Sequence, residues 1–192
     1  HATEDIAVMR ALPNMTVLVP SDATSTRWAT KYAVDTYGPM YLRLSRDVYP
    51  DLYDENTKFE CGKGAIVRDG TDVTVIACGI LVHKALEAAE QMAARGVSVR
   101  VVDMYSIKPI DRELILRCAQ ETGAIVTAEE HNIIGGLGEA VCAVLSEKLP
   151  TPVRRVGVQD VFGCSGPAWD LLKKFGLDAA TICKTAHEML GK

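Results

Sequence analysis

The stretch Ala124-Ile125-Val126-Thr127-Ala128-Glu129-Glu130-His131-Asn132-Ile133-Ile134-Gly135-Gly136-Leu137-Gly138-Glu139-Ala140-Val141 passes from strand chemistry to helix chemistry through a glycine-rich turn. Residues 124–128 are a short apolar run suited to a buried parallel strand. Beyond Glu139, Val141, Leu145 and Leu149 recur on one helical face. Strand, turn, helix is the repeating unit of an α/β fold. Glycines at 135, 136 and 138 let the backbone approach something closely, whether a phosphate, a neighbouring strand or another subunit. Composition alone does not choose among these.

Outward from this stretch the same alternation continues. Strands are expected near 64–68, 73–77, 97–102, 124–128 and 153–156, and helices near 81–95, 111–121, 138–148, 167–175 and 178–190. This order predicts a three-layer α/β/α sandwich around a mostly parallel five-stranded sheet over residues 61–192. Asp69-Gly70-Thr71-Asp72 reads as a hairpin turn joining the first strand to the second, which makes the first antiparallel. Upstream, residues 4–12 carry a helical pattern, 15–19 a β-rich run, and 40–44 another strand. Between the two strands, Asp22 is placed to cap a helix reaching about Asp35. Two strands are too few for a compact α/β domain, so residues 1–47 read as the partial end of a second α/β domain. Residues 48–60, with Tyr49-Pro50-Asp51-Leu52-Tyr53-Asp54-Glu55-Asn56-Thr57, have neither period and read as a linker.

Composition excludes several classes. With 48% hydrophobic and 24% charged residues in 192, the chain is ordinary for a globular protein. A formal charge of −4 and no basic cluster beyond pairs such as Arg154-Arg155 and Lys173-Lys174 argue against nucleic acid. No apolar run reaches the roughly 20 residues of a membrane span, and the first residues do not resemble a signal peptide, so the expected location is cytoplasmic. The six cysteines, Cys61, Cys78, Cys118, Cys142, Cys164 and Cys183, lack C-x-x-C spacing and read as reduced thiols, with no metal site expected. His83 and His187 sit in helical patterns, at surface or boundary positions.

Several motifs, in order, resemble the carboxy-terminal part of transketolase and related thiamine diphosphate enzymes. Glu4-Asp5-Ile6-Ala7, Arg10, Pro13-Asn14-Met15 and Pro20-Ser21-Asp22 are similar to the end of the pyrimidine-binding domain, and Leu44-Ser45-Arg46 to its final strand and substrate-facing arginine. Lys108-Pro109-Ile110-Asp111, Glu129-Glu130-His131 and Gly135-Gly136-Leu137-Gly138-Glu139-Ala140 are similar to the carboxy-terminal domain that follows. The resemblance implies transfer of a two-carbon ketol unit between sugar phosphates. The cofactors it implies are thiamine diphosphate and Mg2+, expected upstream of residue 1, with none held by this fragment alone and no activity from it. The implied partners are sugar phosphates and either a second copy in a homodimer or an amino-terminal transketolase subunit.

By the resemblance, Arg46 contacts the sugar phosphate, a task that suits the fixed guanidinium fork. The plainer alternative is a surface arginine that ends an edge strand and pairs with Asp47 or another carboxylate. His1 is a weaker substrate-binding candidate, since the family pattern puts its histidine five positions before the aspartate matching Asp5, and His1 is four before. Glu129, Glu130, His131, Gly135 and Gly136 read as a packing and interface segment. An acid–base pair is the competing reading of Glu129 and His131, which share one side of a strand while Glu130 points away. The glycine turn is too short for a dinucleotide fingerprint, and Ser165-Gly166-Pro167 reads as a helix cap. Rival assignments are a fragment of 1-deoxyxylulose-5-phosphate synthase, a β subunit of a 2-oxoacid dehydrogenase, and a non-catalytic α/β binding or regulatory module.

Overall fold

The computed structural model describes residues 2–191, so the expectation for His1 lies outside the described residues. The elements in order are α1 (Asp5–Ala11), β1 (Thr16–Leu18), α2 (Ala23–Asp35), β2 (Met40–Leu42), β3 (Ala65–Arg68), β4 (Val73–Ala77) and α3 (Ile80–Ala93). They continue as β5 (Val99–Asp103), β6 (Ser106–Lys108), α4 (Arg112–Thr122), β7 (Ile125–Asn132), α5 (Leu137–Lys148), β8 (Val153–Val158), α6 (Ala168–Lys174) and α7 (Ala179–Leu190).

The main sheet has five strands in the order β3-β5-β4-β7-β8. β4, β5, β7 and β8 pair in parallel, and β3 runs antiparallel to β5. The hairpin expectation therefore fails in its partner. β3 is antiparallel, but β5 separates it from β4. Gly70 instead lets the chain cross tightly against Val99 and Arg100, where a Cβ would overlap their backbone.

Val, Ile and Ala fill both faces of the central strands because helices cover both. Val73, Val75 and Ala77 pack with α3 and α7 in one core; Ile76, Val102 and Ile125 pack with α4 and α5 in the other. Ile6 of α1 and Val17 and Val19 around β1 belong to that second core. The amino-terminal segment thus shares its apolar interior with the sandwich.

A second sheet, β2-β1-β6, makes the same join through the backbone. β1 is parallel to β2 and antiparallel to β6, a strand formed by a segment downstream of β5. The polar run 48–60 also packs: Phe59 lies among Trp28, Tyr53 and Tyr105 with ring centroids 4.8–5.4 Å apart. Asp22 caps α2 by accepting from the Ser25 N–H at 2.7 Å. Its other oxygen accepts from the N–H groups of Leu52 and Tyr53 at 2.9 Å each, so one carboxylate starts a helix and fixes the strap.

Candidate functional site

Open α/β sheets bind ligands beyond the carboxyl ends of their strands, where the strand order reverses. Here β4 and β7 flank that reversal, and the chain's own amino-terminal segment fills the crevice. Val19 lies against Gly79 at the end of β4, where a Cβ would come within 3.2 Å of it. The Asn132 N–H donates to the Thr3 carbonyl at 2.7 Å. Lys108 Nζ donates to the carbonyls of Arg10 and Leu12 at 2.8 and 2.6 Å, neutralising the carboxyl end of α1.

Strand alternation carries Glu129 and His131 inward and Glu130 to the opposite side. Both inward side chains are sealed from solvent. Glu129 accepts from the N–H groups of Leu137 (2.6 Å) and Gly138 (2.8 Å), two of the four donors that α5 leaves unpaired at its start. Burial pushes its pKa up to about 7, while those hydrogen bonds and the charges of Arg10 and Arg155 pull it down. His131 is held by backbone at both ring nitrogens: Nε2 accepts from the Ala7 N–H at 3.3 Å, so Nδ1 carries the proton and donates to the Asn132 carbonyl at 2.6 Å. Burial lowers its pKa, favouring the neutral ring. Glu129 Oε2 lies 3.7 Å from His131 Nδ1. A sealed pair whose polar atoms are committed to backbone has no route to a solvent-borne substrate.

The glycines serve the same packing. Gly135 adopts a positive φ of 76° and sits on Ala7, and a Cβ at Gly136 would overlap the Glu129 carboxylate. Arg10 donates to the carbonyls of Gly135 and Gly136, reaching the latter at 2.9 Å. A carboxylate already occupies the start of α5, where a phosphate would otherwise sit. No group of three or more His, Cys, Asp and Glu side chains able to hold a metal ion occurs among the described residues. The start of α5 therefore offers no free cradle for a diphosphate, its Leu137 and Gly138 N–H groups being taken by Glu129.

Glu130 faces Arg43, a residue the sequence pattern offered only as part of a strand. Arg43 Nε donates to Asp5 Oδ2 at 3.0 Å, and its terminal nitrogens reach Glu130 Oε2 (3.2 Å) and the Glu130 carbonyl (2.8 Å). Tyr41 donates to the same Asp5 oxygen at 2.6 Å. Charge spacing along one strand could not reveal this network, because its partners come from α1 and β7. The strand itself ends at Leu42, not at the expected Leu44, and Leu44-Ser45-Arg46 follows as exposed chain. Arg46 forms no ion pair among the described residues, and none with Asp47.

A second buried acid lies at the end of β5. Asp103 accepts from the hydroxyls of Ser21 and Tyr53 at 2.8 Å each, and burial raises its pKa to about 7. Three of the cysteines, Cys78, Cys118 and Cys183, are buried; Cys61 and Cys142 are half-buried and Cys164 is exposed. No described helix is long and apolar enough to cross a membrane.

Two family profiles divide the chain: "Transketolase, pyrimidine binding domain" matches residues 1–51 and "Transketolase, C-terminal domain" matches 62–182. A 6-deoxy-6-sulfo-D-fructose transketolase subunit of Clostridium sp. is 45% identical over 97% of this chain and 58% of its own length. An apulose-4-phosphate transketolase subunit of Phocaeicola vulgatus is 43% identical over 100% of this chain and 62% of its own. A solved structure described as "Split gene transketolase, inactive beta4 tetramer" superposes with a TM-score of 0.94 at 49% identity, covering 100% of this chain and 62% of that one. The chain thus spans about three fifths of the length of these relatives. The shared core of α1, β1 and the sandwich, and the turn that seats α1, lie within these matches: the chain belongs to the transketolase family, as a carboxy-terminal section.

Proposed function

We propose that this chain is the carboxy-terminal part of a thiamine diphosphate-dependent transketolase that moves a two-carbon ketol unit between sugar phosphates. The reading is supported above all by one observation: the whole chain superposes on a split-gene transketolase, with the amino-terminal segment seated in the sandwich's own crevice. In this reading residues 1–47 close the pyrimidine-binding domain, residues 48–60 strap it to residues 61–192, and Glu129, Glu130, His131, Gly135 and Gly136 form the seat between them.

Thiamine diphosphate supplies the carbanion chemistry in such enzymes. In this proposal the cofactor and its divalent ion are held by the portion of the enzyme that this chain does not span. The chain contributes Arg46, exposed beyond the carboxyl end of β2, where a planar fork can take two phosphate oxygens of a sugar phosphate. A binding module that uses the glycine turn loses its support, since Glu129 fills that position.

The test compares acceptor aldoses with and without a phosphate in the complete enzyme. Arg46→Ala is expected to raise KM for the phosphorylated acceptor by about 10- to 100-fold, the worth of one charge-assisted fork of roughly 1.5–3 kcal/mol, and to spare the unphosphorylated one. Equal losses for both would remove the assignment.

A further inference from the structure

We propose that Arg43 is the positioning residue for Arg46, fixing one end of the exposed span that presents it to the substrate phosphate. This rests on the reading of Arg46 given above. The span is residues 44–48, all exposed, and Arg46 is at its middle. A guanidinium there, with no ion pair of its own among the described residues, takes its position from the two ends of the span.

The upstream end is held by Arg43, whose side chain is only 16% exposed. Its backbone N–H donates to the Leu18 carbonyl at 2.9 Å, extending the β1–β2 pairing by one residue. Its guanidinium ties Asp5 of α1 to Glu130 of β7 and also reaches the Ala2 carbonyl at 3.2 Å. The downstream end is held by Tyr49, stacked on His83 with centroids 5.5 Å apart and edge-on to Trp169 at 6.1 Å. Leu52 and Tyr53 then hydrogen-bond to Asp22, and Tyr53 to Asp103.

Both anchors end on the sandwich, through Glu130 at one end and His83, Trp169 and Asp103 at the other. The carboxy-terminal domain therefore sets where the phosphate arginine of the preceding segment stands. Arg43 suits this task because its planar fork meets two carboxylates and two carbonyls at once; an ammonium could not span them in one geometry. Misplacing a binding group by an ångström weakens a bidentate contact steeply. Releasing Arg43 lengthens the free span at its upstream end, three residues from Arg46.

The experiment uses the complete enzyme with thiamine diphosphate and Mg2+, measuring KM and kcat for an aldose phosphate and for the same aldose without its phosphate. Arg43→Gln is expected to raise KM for the phosphorylated acceptor by about tenfold and to move the unphosphorylated KM and both kcat values by less than about twofold. Arg43→Lys keeps the charge and is expected to restore part of the loss. In an Arg46→Ala background, Arg43→Gln should leave the ratio of the two KM values unchanged, since the group it positions is gone. A parallel rise for both acceptors, or a ratio that still shifts without Arg46, would overturn the inference. If Arg46→Ala alone leaves the ratio unchanged, the reading of Arg46 fails; if Arg46→Ala shifts it and Arg43→Gln does not, only the role of Arg43 fails. Should Arg43→Gln not fold, Glu130→Gln weakens the same anchor and Tyr53→Phe loosens the other. Each is expected to raise the phosphorylated KM by about threefold, and no selective rise in either would refute the anchored span.

Discussion

Replacing Glu129 with glutamine separates the two things this carboxyl does: it caps α5 and it carries a proton into the interior. Its oxygens take the N–H groups of Leu137 and Gly138 in a position with no exposure. Glutamine retains one acceptor oxygen and turns an NH2 toward the other N–H, leaving one buried donor unpaired at a cost of about 1–3 kcal/mol. The proton adds a pH dependence of known sign. A carboxyl lifted from 4.5 to about 7 by burial leaves the native state holding a proton that the unfolded chain has released. Its contribution is therefore fully present below pH 4.5 and lost as pH rises through 7. At about 1.36 kcal/mol per pH unit, that rise is worth about 3 kcal/mol. Glutamine has no proton to release, and the raised Asp103 is present in both proteins, so the difference between them isolates Glu129. Urea unfolding from pH 5 to 8, followed by the fluorescence of Trp28 and Trp169, measures it. Wild type should be more stable at pH 5 and should lose most of about 3 kcal/mol relative to the variant by pH 8. A difference independent of pH, or a wild type that gains on the variant as pH rises, would refute the buried-proton argument.

Other substitutions test the packing around it. Gly136→Ala drives a methyl into the Glu129 carboxylate and is expected to destabilise by about 2–4 kcal/mol, whereas Gly163→Ala, in open space, should stay within about 0.5 kcal/mol; equal effects would contradict the crowded turn. Ile6→Ala removes a side chain buried in the core that α1 shares with α4 and α5, and should lower the stability of the whole sandwich by about 2–5 kcal/mol. A separate, earlier transition confined to the amino-terminal segment would show instead that the two do not fold together. Asp22→Ala loses the α2 cap and two strap hydrogen bonds, so about 2–4 kcal/mol and the exchange protection of the Leu52 and Tyr53 amides should go together. Protection retained at both amides would reject the shared anchor.

The alternation of strands and helices from residue 64 onward was legible because buried parallel strands and amphipathic helices have different periods, and β4, α3, β5, α4, β7, α5, β8, α6 and α7 lie where the pattern places them. Pairing was less so. Asp69-Gly70-Thr71-Asp72 carries hairpin chemistry, yet β3 closes on β5, because nothing local to a turn encodes which edge of a sheet is free. β6 escaped notice since Ser106-Ile107-Lys108 is too short to show a period; its partner β1 lies far upstream. At the site, alternation put Glu129 and His131 on one side of the strand and Glu130 on the other, but did not show which side is buried, and the glycines signalled close approach. What the sequence did not reveal is what approaches: Ala7 and Arg10 against the turn, and Arg43 between Asp5 and Glu130. These are long-range juxtapositions without a local pattern. The acidic linker likewise looked featureless, although Asp22 and Asp103 fasten it and Phe59 packs beneath it.

The decisive measurement is ketol transfer from a ketose phosphate to an aldose phosphate, with thiamine diphosphate and Mg2+, by this chain alone and by the complete enzyme. Transfer in the complete system and none from the chain alone is expected under the proposal that the cofactor and its divalent ion are held by the portion of the enzyme that this chain does not span. Turnover by the chain alone, or a folded complete enzyme that transfers no ketol unit, would contradict it.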